Sequence, residues 1–94
     1  MPMVSVIMPV FNAGDGSELE QAIQSILQQT FADFELIICD DASTDDTWEH
    51  LQEWAAMDSR IVLLQNAVNQ KAGAARNRCI NQSQGRFIAF MDAD

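Results

Sequence analysis

Ninety-four residues carrying fourteen acidic and five basic side chains, for a net charge of −9, suffice for one small domain and not for two. That charge excludes a binder of nucleic-acid backbones, which works through clustered Lys and Arg. It admits an anionic small molecule only where a metal ion or main-chain N–H groups hold the phosphates.

The chain opens on MPMVSVIMPVFN. It has no basic leader, and Pro9 and Asn12 cut the apolar run well short of the ~18 residues of a membrane span. A cytoplasmic chain with no membrane segment is expected. Within it VSVIMPV, Val4 to Val10, is a nearly continuous β-branched run, the pattern of a parallel strand covered on both faces. Next, SELEQAIQSILQQT places Leu19, Ile23, Ile26 and Leu27 on one helical stripe, with Ser17 and Glu20 at capping-box spacing and an end near Thr30. FELIICD, Phe34 to Asp40, is a second strand. It runs into DASTDDTWEHLQEWAAM, a helix that Ser43 or Thr44 can cap. Asp45, Asp46 and Glu49 fall in its first turn, and Leu51, Trp54 and Ala55 face inward. The strand IVLLQ, the helix AGAARNRCINQSQ closed by Gly85 as its C′ residue, and the strand RFIAFM complete the order.

Strands alternating with helices imply right-handed crossovers and a three-layer α/β fold, a mostly parallel, Rossmann-like sheet with helices on both faces. Cys39 and Cys79, far apart and in apolar contexts, read as buried free thiols. His50 stands without a partner at ligand spacing and reads as a surface or packing residue. In sheets of this kind ligands bind beyond the carboxyl ends of the strands. There the sequence places Asn12, then Asp40 and Asp41, then Asp92 and Asp94. Alone, Asp40 and Asp41 with Ser43 are equally an Asx-turn and helix cap, and Asp92 and Asp94 equally solvated loop residues. Gathered at one rim, the carboxylates repel one another unless a cation or a hydrogen-bonding ligand offsets them.

These stretches, VSVIMPVFN, AIQSILQQTFADFELIICDDASTDDT and AARNRCINQSQGRFIAFMDAD, resemble in order and spacing the amino-terminal half of the family 2 glycosyltransferases of GT-A fold. The resemblance runs from Met3 to Asp94. It implies that residues 1–94 are the nucleotide-sugar-binding half of such a domain, cut after the fourth strand, in an enzyme of polysaccharide or cell-envelope synthesis. In such enzymes a sugar passes, with inversion, from a nucleotide diphosphate sugar to a glycan, lipid or other hydroxyl acceptor. By the same resemblance Pro9, Phe11 and Asn12 line the base pocket, and Asp41 accepts a hydrogen bond from the base beside Asp40. Asp94 of the D-x-D motif holds manganese or magnesium, with Asp92 at the ribose or the metal. Arg76 lies near the nucleotide, although an ordinary helix-surface Arg fits the position as well. The general base lies beyond Asp94, so the catalytic residue is unassigned, and the full-length protein would work at the inner face of the membrane.

Three features depart from the family pattern. Asn12 to Leu19 is long and contains Gly14 and Gly16, Phe11 stands where Tyr is common, and Lys71 stands where Gly is common. A dinucleotide-binding fingerprint fails because GDGSEL has Leu19 where its third Gly belongs. A receiver domain lacks its acid pair and late Lys. The remaining alternative is a non-catalytic nucleotide- and metal-binding fragment without the acceptor half. If the fourth strand is an open edge, Phe87 to Met91 would pair with a second copy.

Overall fold

A computed structural model describes residues 2–13, 16–29 and 32–91. The elements run β1 (Val4–Val10), α1 (Ser17–Leu27), β2 (Phe34–Asp40), α2 (Thr47–Met57), β3 (Ile61–Gln65), α3 (Lys71–Gln82) and β4 (Phe87–Phe90). They form one sheet of order β3-β2-β1-β4 in which every pairing is parallel. The α/β sandwich expected from the alternation is therefore present, with helices on both faces.

Strands β1 and β2, each a nearly continuous apolar run interrupted by Ser5 and by Glu35, are the two central ones. Along β1 and β2 successive side chains alternate between two helical layers, so both parities must be apolar. Val6, Met8 and Val10 join Leu36 and Ile38 beneath Leu19, Ile23 and Ile26 of α1 and Leu51 of α2. On the other face Ile7, Ile37 and Cys39 pack against Ala75 and Cys79 of α3. The small residues of α3 let that helix lie close to the sheet. Both thiols are buried and free, as expected. The Cys79 thiol is pushed up by its hydrogen bond to Cys39 and by burial, which keeps it protonated and inert. No helix among the described residues is long and apolar enough to cross a membrane.

Three local expectations are corrected. The N-cap of α1 is Gly16, in left-handed conformation (φ 84°), with no side-chain cap bond, so Ser17 is the first helical residue and not a capping-box hydroxyl. Helix α2 starts at Thr47 behind Asp46, later than a Ser43 or Thr44 cap requires. The Ser43 hydroxyl instead donates to Asp40 Oδ1 at 2.5 Å and accepts from the Asn12 N–H at 2.8 Å. Helix α3 ends at Gln82 with Ser83 as its C-cap, so Gly85 is not its C′ residue. Gly85 lies against the edge of β1, where a Cβ would come within 2.6 Å of Ser5 N and Oγ and 2.8 Å of the Val4 carbonyl carbon. Close approach, and not helix termination, demands glycine there.

Strand β4 bonds β1 along one edge, with Phe87 N–H on Met3 O and Met91 N–H on Ile7 O. Phe87, Ile88 and Phe90 stay 60%, 41% and 59% exposed.

Candidate functional site

The carboxyl ends of β1, β2 and β3 finish level, with Val10 beside Asp40 and Asp40 beside Gln65. Two main-chain bonds continue the ladder past the strands, from Asp41 N–H to Val10 O at 2.8 Å and from Asn66 N–H to Asp40 O at 2.9 Å. Three loops are thereby pinned around a cavity of about 280 Å³ lined by Pro9, Val10, Phe11, Asp41, Asn69 and Lys71. Ligand pockets for drug-sized molecules begin near ~300 Å³, so this volume suits a base with part of its ribose.

Asp41, only 3% exposed, is the best-anchored polar group of the site. Its Oδ1 accepts from Asn66 Nδ2 and from the main-chain N–H of Gln70, each at 2.8 Å. Asn69 Nδ2 donates to the Asp41 carbonyl at 3.3 Å. Behind it Arg78 Nη1 donates to Asn66 Oδ1 at 2.7 Å and to Gln65 O at 2.8 Å. With its oxygen held by a guanidinium, the Asn66 amide must turn its NH₂ toward Asp41. Two donors saturate Oδ1, while no hydrogen bond among the described residues reaches Oδ2. Among the described residues the site thus holds one carboxylate oxygen that no hydrogen bond occupies.

The other wall is apolar. Pro9 and Val10 end β1, and the Phe11 ring is half exposed. A flat ligand with apolar faces and an N–H on its edge fits this combination: faces against a ring, edge against a carboxylate.

Of the residues singled out from sequence, Pro9, Phe11 and Asp41 meet at this cavity. Asn12 and Asp40 stand behind it. Asn12, at φ 47°, joins the loops after β1 and β2: its Oδ1 accepts from Thr44 N–H at 2.8 Å and its Nδ2 donates to Thr44 Oγ1 at 3.3 Å. Asp40 is fully buried. Its Oδ1 takes the Ser43 N–H and hydroxyl, the Asx-turn that the sequence allowed, and its Oδ2 is enclosed with no partner among the described residues. Arg76 lies away from the cavity lining, its guanidinium 5.5 Å from the centre of the Phe90 ring and its Nε buried without a partner among the described residues. Asp92 and Asp94 lie outside the described residues, and among those described no His, Cys, Asp and Glu group could hold a metal ion.

Sequence reasoning missed Asn66, Asn69 and Arg78. The positional rule that found Asn12 and Asp41, polar residues just past an apolar strand, applies equally to the Asn66 to Asn69 stretch after β3. Lys71 drew attention only as a departure; the structure makes it a wall of the cavity with a left-handed backbone, φ 76°.

Residues 5–94 match the family model described as glycosyl transferase family 2. An Escherichia coli relative, the UDP-Glc:alpha-D-GlcNAc-diphosphoundecaprenol beta-1,3-glucosyltransferase WfaP, is 40% identical over 94 residues, covering 100% of this chain and 36% of its own length. Among solved structures, Staphylococcus aureus TarS 1-349 in complex with UDP superposes with a TM-score of 0.88 at 28% identity, covering 98% of this chain and 27% of that one. The mannosyltransferase PcManGT from Pyrobaculum calidifontis, in complex with GDP-Man and Mn2+, gives a TM-score of 0.88 at 26% identity, over 99% of this chain and 28% of that one. The chain therefore spans about a third of the length of the curated relatives it matches.

Proposed function

The chain belongs to glycosyl transferase family 2, and from that premise we propose that it holds the nucleotide of a nucleotide diphosphate sugar for metal-dependent, inverting transfer to a glycan, lipid or other hydroxyl acceptor. One observation carries the reading. The half-saturated Asp41 carboxylate, with Oδ1 locked by Asn66 and Gln70 and Oδ2 free at an apolar-walled cavity, suits the edge of a base whose ring rests on Phe11. Because the floor is fixed before ligand arrives, little ordering cost falls on binding.

A divalent cation fits the donor set that the sequence supplies. Asp92 and Asp94 offer hard carboxylate oxygens, which suit manganese or magnesium completed by substrate phosphates, and β4, which precedes them, runs parallel to β1 toward the cavity end of the sheet. Bound there, the ion would offset repulsion between carboxylates and diphosphate and stabilise negative charge on the departing nucleotide diphosphate. The chain's own part is to seat the base at Asp41 and Phe11, which fixes where the sugar's anomeric carbon lies relative to an acceptor. The general base belongs beyond Asp94 in this reading. The bound complex named for PcManGT and the acceptor in the name of WfaP support metal use and a lipid-linked acceptor.

Calorimetric titration with uridine diphosphate tests it. Binding is expected with manganese present and should weaken at least tenfold in a chelator, because an acidic rim by itself repels phosphate. Equal affinities in the two would overturn the metal part of the proposal.

The open face of β4 supports a further partner, a second copy. An edge strand with three large exposed apolar side chains is a template for intermolecular pairing. Sedimentation over a concentration series should show self-association of this chain, and Ile88→Lys should abolish it. A parent that stays monomeric at every concentration refutes the pairing.

A further inference from the structure

Five basic side chains serve the whole chain, and the described structure accounts for them unequally. Arg60 is paired with Asp58 at 2.7 Å and lies over Phe34. Arg78 is held by Gln65 and Asn66, and Arg76 lies over Phe90. Arg86 precedes β4, at the opposite end of the sheet from the cavity. Lys71 differs from all of them. It lines the cavity, and among the described residues its ammonium makes no hydrogen bond or ion pair.

Its backbone is also held where side-chain-bearing residues rarely go, at φ 76°. The Lys71 N–H is tied to Asn69 Oδ1 at 3.1 Å, and the preceding N–H, that of Gln70, is tied to Asp41 Oδ1. The bonds that build the Asp41 floor thus flank the residue that holds this conformation. Strain that persists beside a binding cavity is a signature of function. It sets a long, unpaired cation on the wall that already presents the free Asp41 oxygen.

We infer that Lys71 is a specificity-determining residue, whose ammonium donates to a ring carbonyl of the donor's base next to the N–H that Asp41 Oδ2 accepts. This rests on the nucleotide-binding reading above. An acceptor beside a donor matches an imino N–H flanked by a carbonyl, as in uracil or the N1–H and O6 edge of guanine. Cytosine in the same register reverses both contacts, with a lone pair against the carboxylate and an amino group against the ammonium, and reversed polar contacts in a desolvated site reject strongly.

The test titrates uridine, uridine diphosphate, cytidine and N3-methyluridine, with magnesium, onto the parent chain and onto Lys71→Met, Lys71→Arg and Lys71→Gly. Lys71→Met keeps the length and loses the charge. It should weaken uridine and uridine diphosphate by the same factor, about tenfold, strengthen cytidine by relieving the clash of ammonium with amino group, and so shrink the uridine preference. Lys71→Arg should restore most of the loss. Lys71→Gly should lose the same affinity while melting a few degrees higher, since glycine accepts φ 76° without strain.

Loss confined to uridine diphosphate would make Lys71 a phosphate contact and overturn the inference. Variants that match the parent on every ligand would overturn it too, and if N3-methyluridine still binds weakly in that case, the Asp41 reading survives alone. A folded parent that binds neither uridine nor guanosine, each tried also as its diphosphate, removes the nucleotide-binding reading and this inference together.

Discussion

Asp41→Asn should leave the protein folded and lower its affinity for uridine diphosphate by roughly ten- to a hundredfold, the equivalent of about 1.5–3 kcal/mol for a lost charge-assisted hydrogen bond. The asymmetry of the carboxylate is the reason. An amide can keep its oxygen in the Oδ1 place, where Asn66 and Gln70 donate at 2.8 Å, but must then put an NH₂ where Oδ2 faced the ligand. Asp41→Ala should behave differently. It strands the buried Asn66 amide and the Gln70 N–H, each costing about 1–3 kcal/mol when left without an acceptor. Its Tm should fall by roughly 10–20 °C on the scale of ~4–8 °C per kcal/mol for a domain of this size. Thermal melts and calorimetry on the two variants separate binding from folding. If Asp41→Asn binds as the parent does, Oδ2 does not contact the base.

A second substitution of large expected effect is Gly85→Ala. The added Cβ would lie 2.6 Å from Ser5 N and Oγ and 2.8 Å from the Val4 carbonyl carbon. Those atoms belong to a central strand bonded on both edges, so they cannot step aside. Gly85 N–H also donates to Ser5 Oγ at 2.8 Å, and that hydroxyl donates in turn to Glu35 Oε2 at 2.6 Å. Overpacking of this kind costs about 1–3 kcal/mol, and more where only backbone can yield, so a Tm at least 8 °C below the parent is expected. Gly73→Ala in α3 is the control. Among the described residues nothing beyond its chain neighbours and its own helix backbone lies within 4 Å of its added Cβ, and Gly to Ala inside a helix gains about 0.5–1 kcal/mol. A Gly85→Ala melt equal to the parent's would show that the β1 edge can rearrange.

The contrast between Gly85 and Asp41 explains what could be read from sequence. Strands and helices were legible because their signal is local: β1 and β2 are apolar at both parities since each face meets a helix, and Leu19, Ile23 and Ile26 repeat at helical spacing. Caps were misread where a long-range partner outbids a local one. Ser43 is a good capping residue by type, yet its hydroxyl serves Asp40 and the Asn12 N–H, which a reading of its neighbours alone does not weigh. The same holds at the site. Asp41 stands out as an acid after an apolar run, but that only one of its oxygens is free depends on Asn66, Gln70 and, through Asn66, Arg78. Left-handed Asn12 is a conformation its residue type favours, whereas left-handed Ala42 and Lys71 carry no sequence mark at all.

The order β3-β2-β1-β4 puts the first strand of the chain next to the last one described. During synthesis β1 can pair with β2, and β2 with β3, as soon as each crossover helix has emerged. The other edge of β1, with Met3 O and Ile7 O waiting for Phe87 and Met91, stays bare until nearly the whole segment has left the ribosome. A sheet of three strands formed before then would carry β1, apolar on both faces, as its open edge. Closing it requires a contact between residues as distant in sequence as Ser5 and Gly85, the slow kind of event in folding. Gly85, by letting the last turn before β4 press against Ser5, is thus a residue on which completion of the sheet, and not only its final stability, depends.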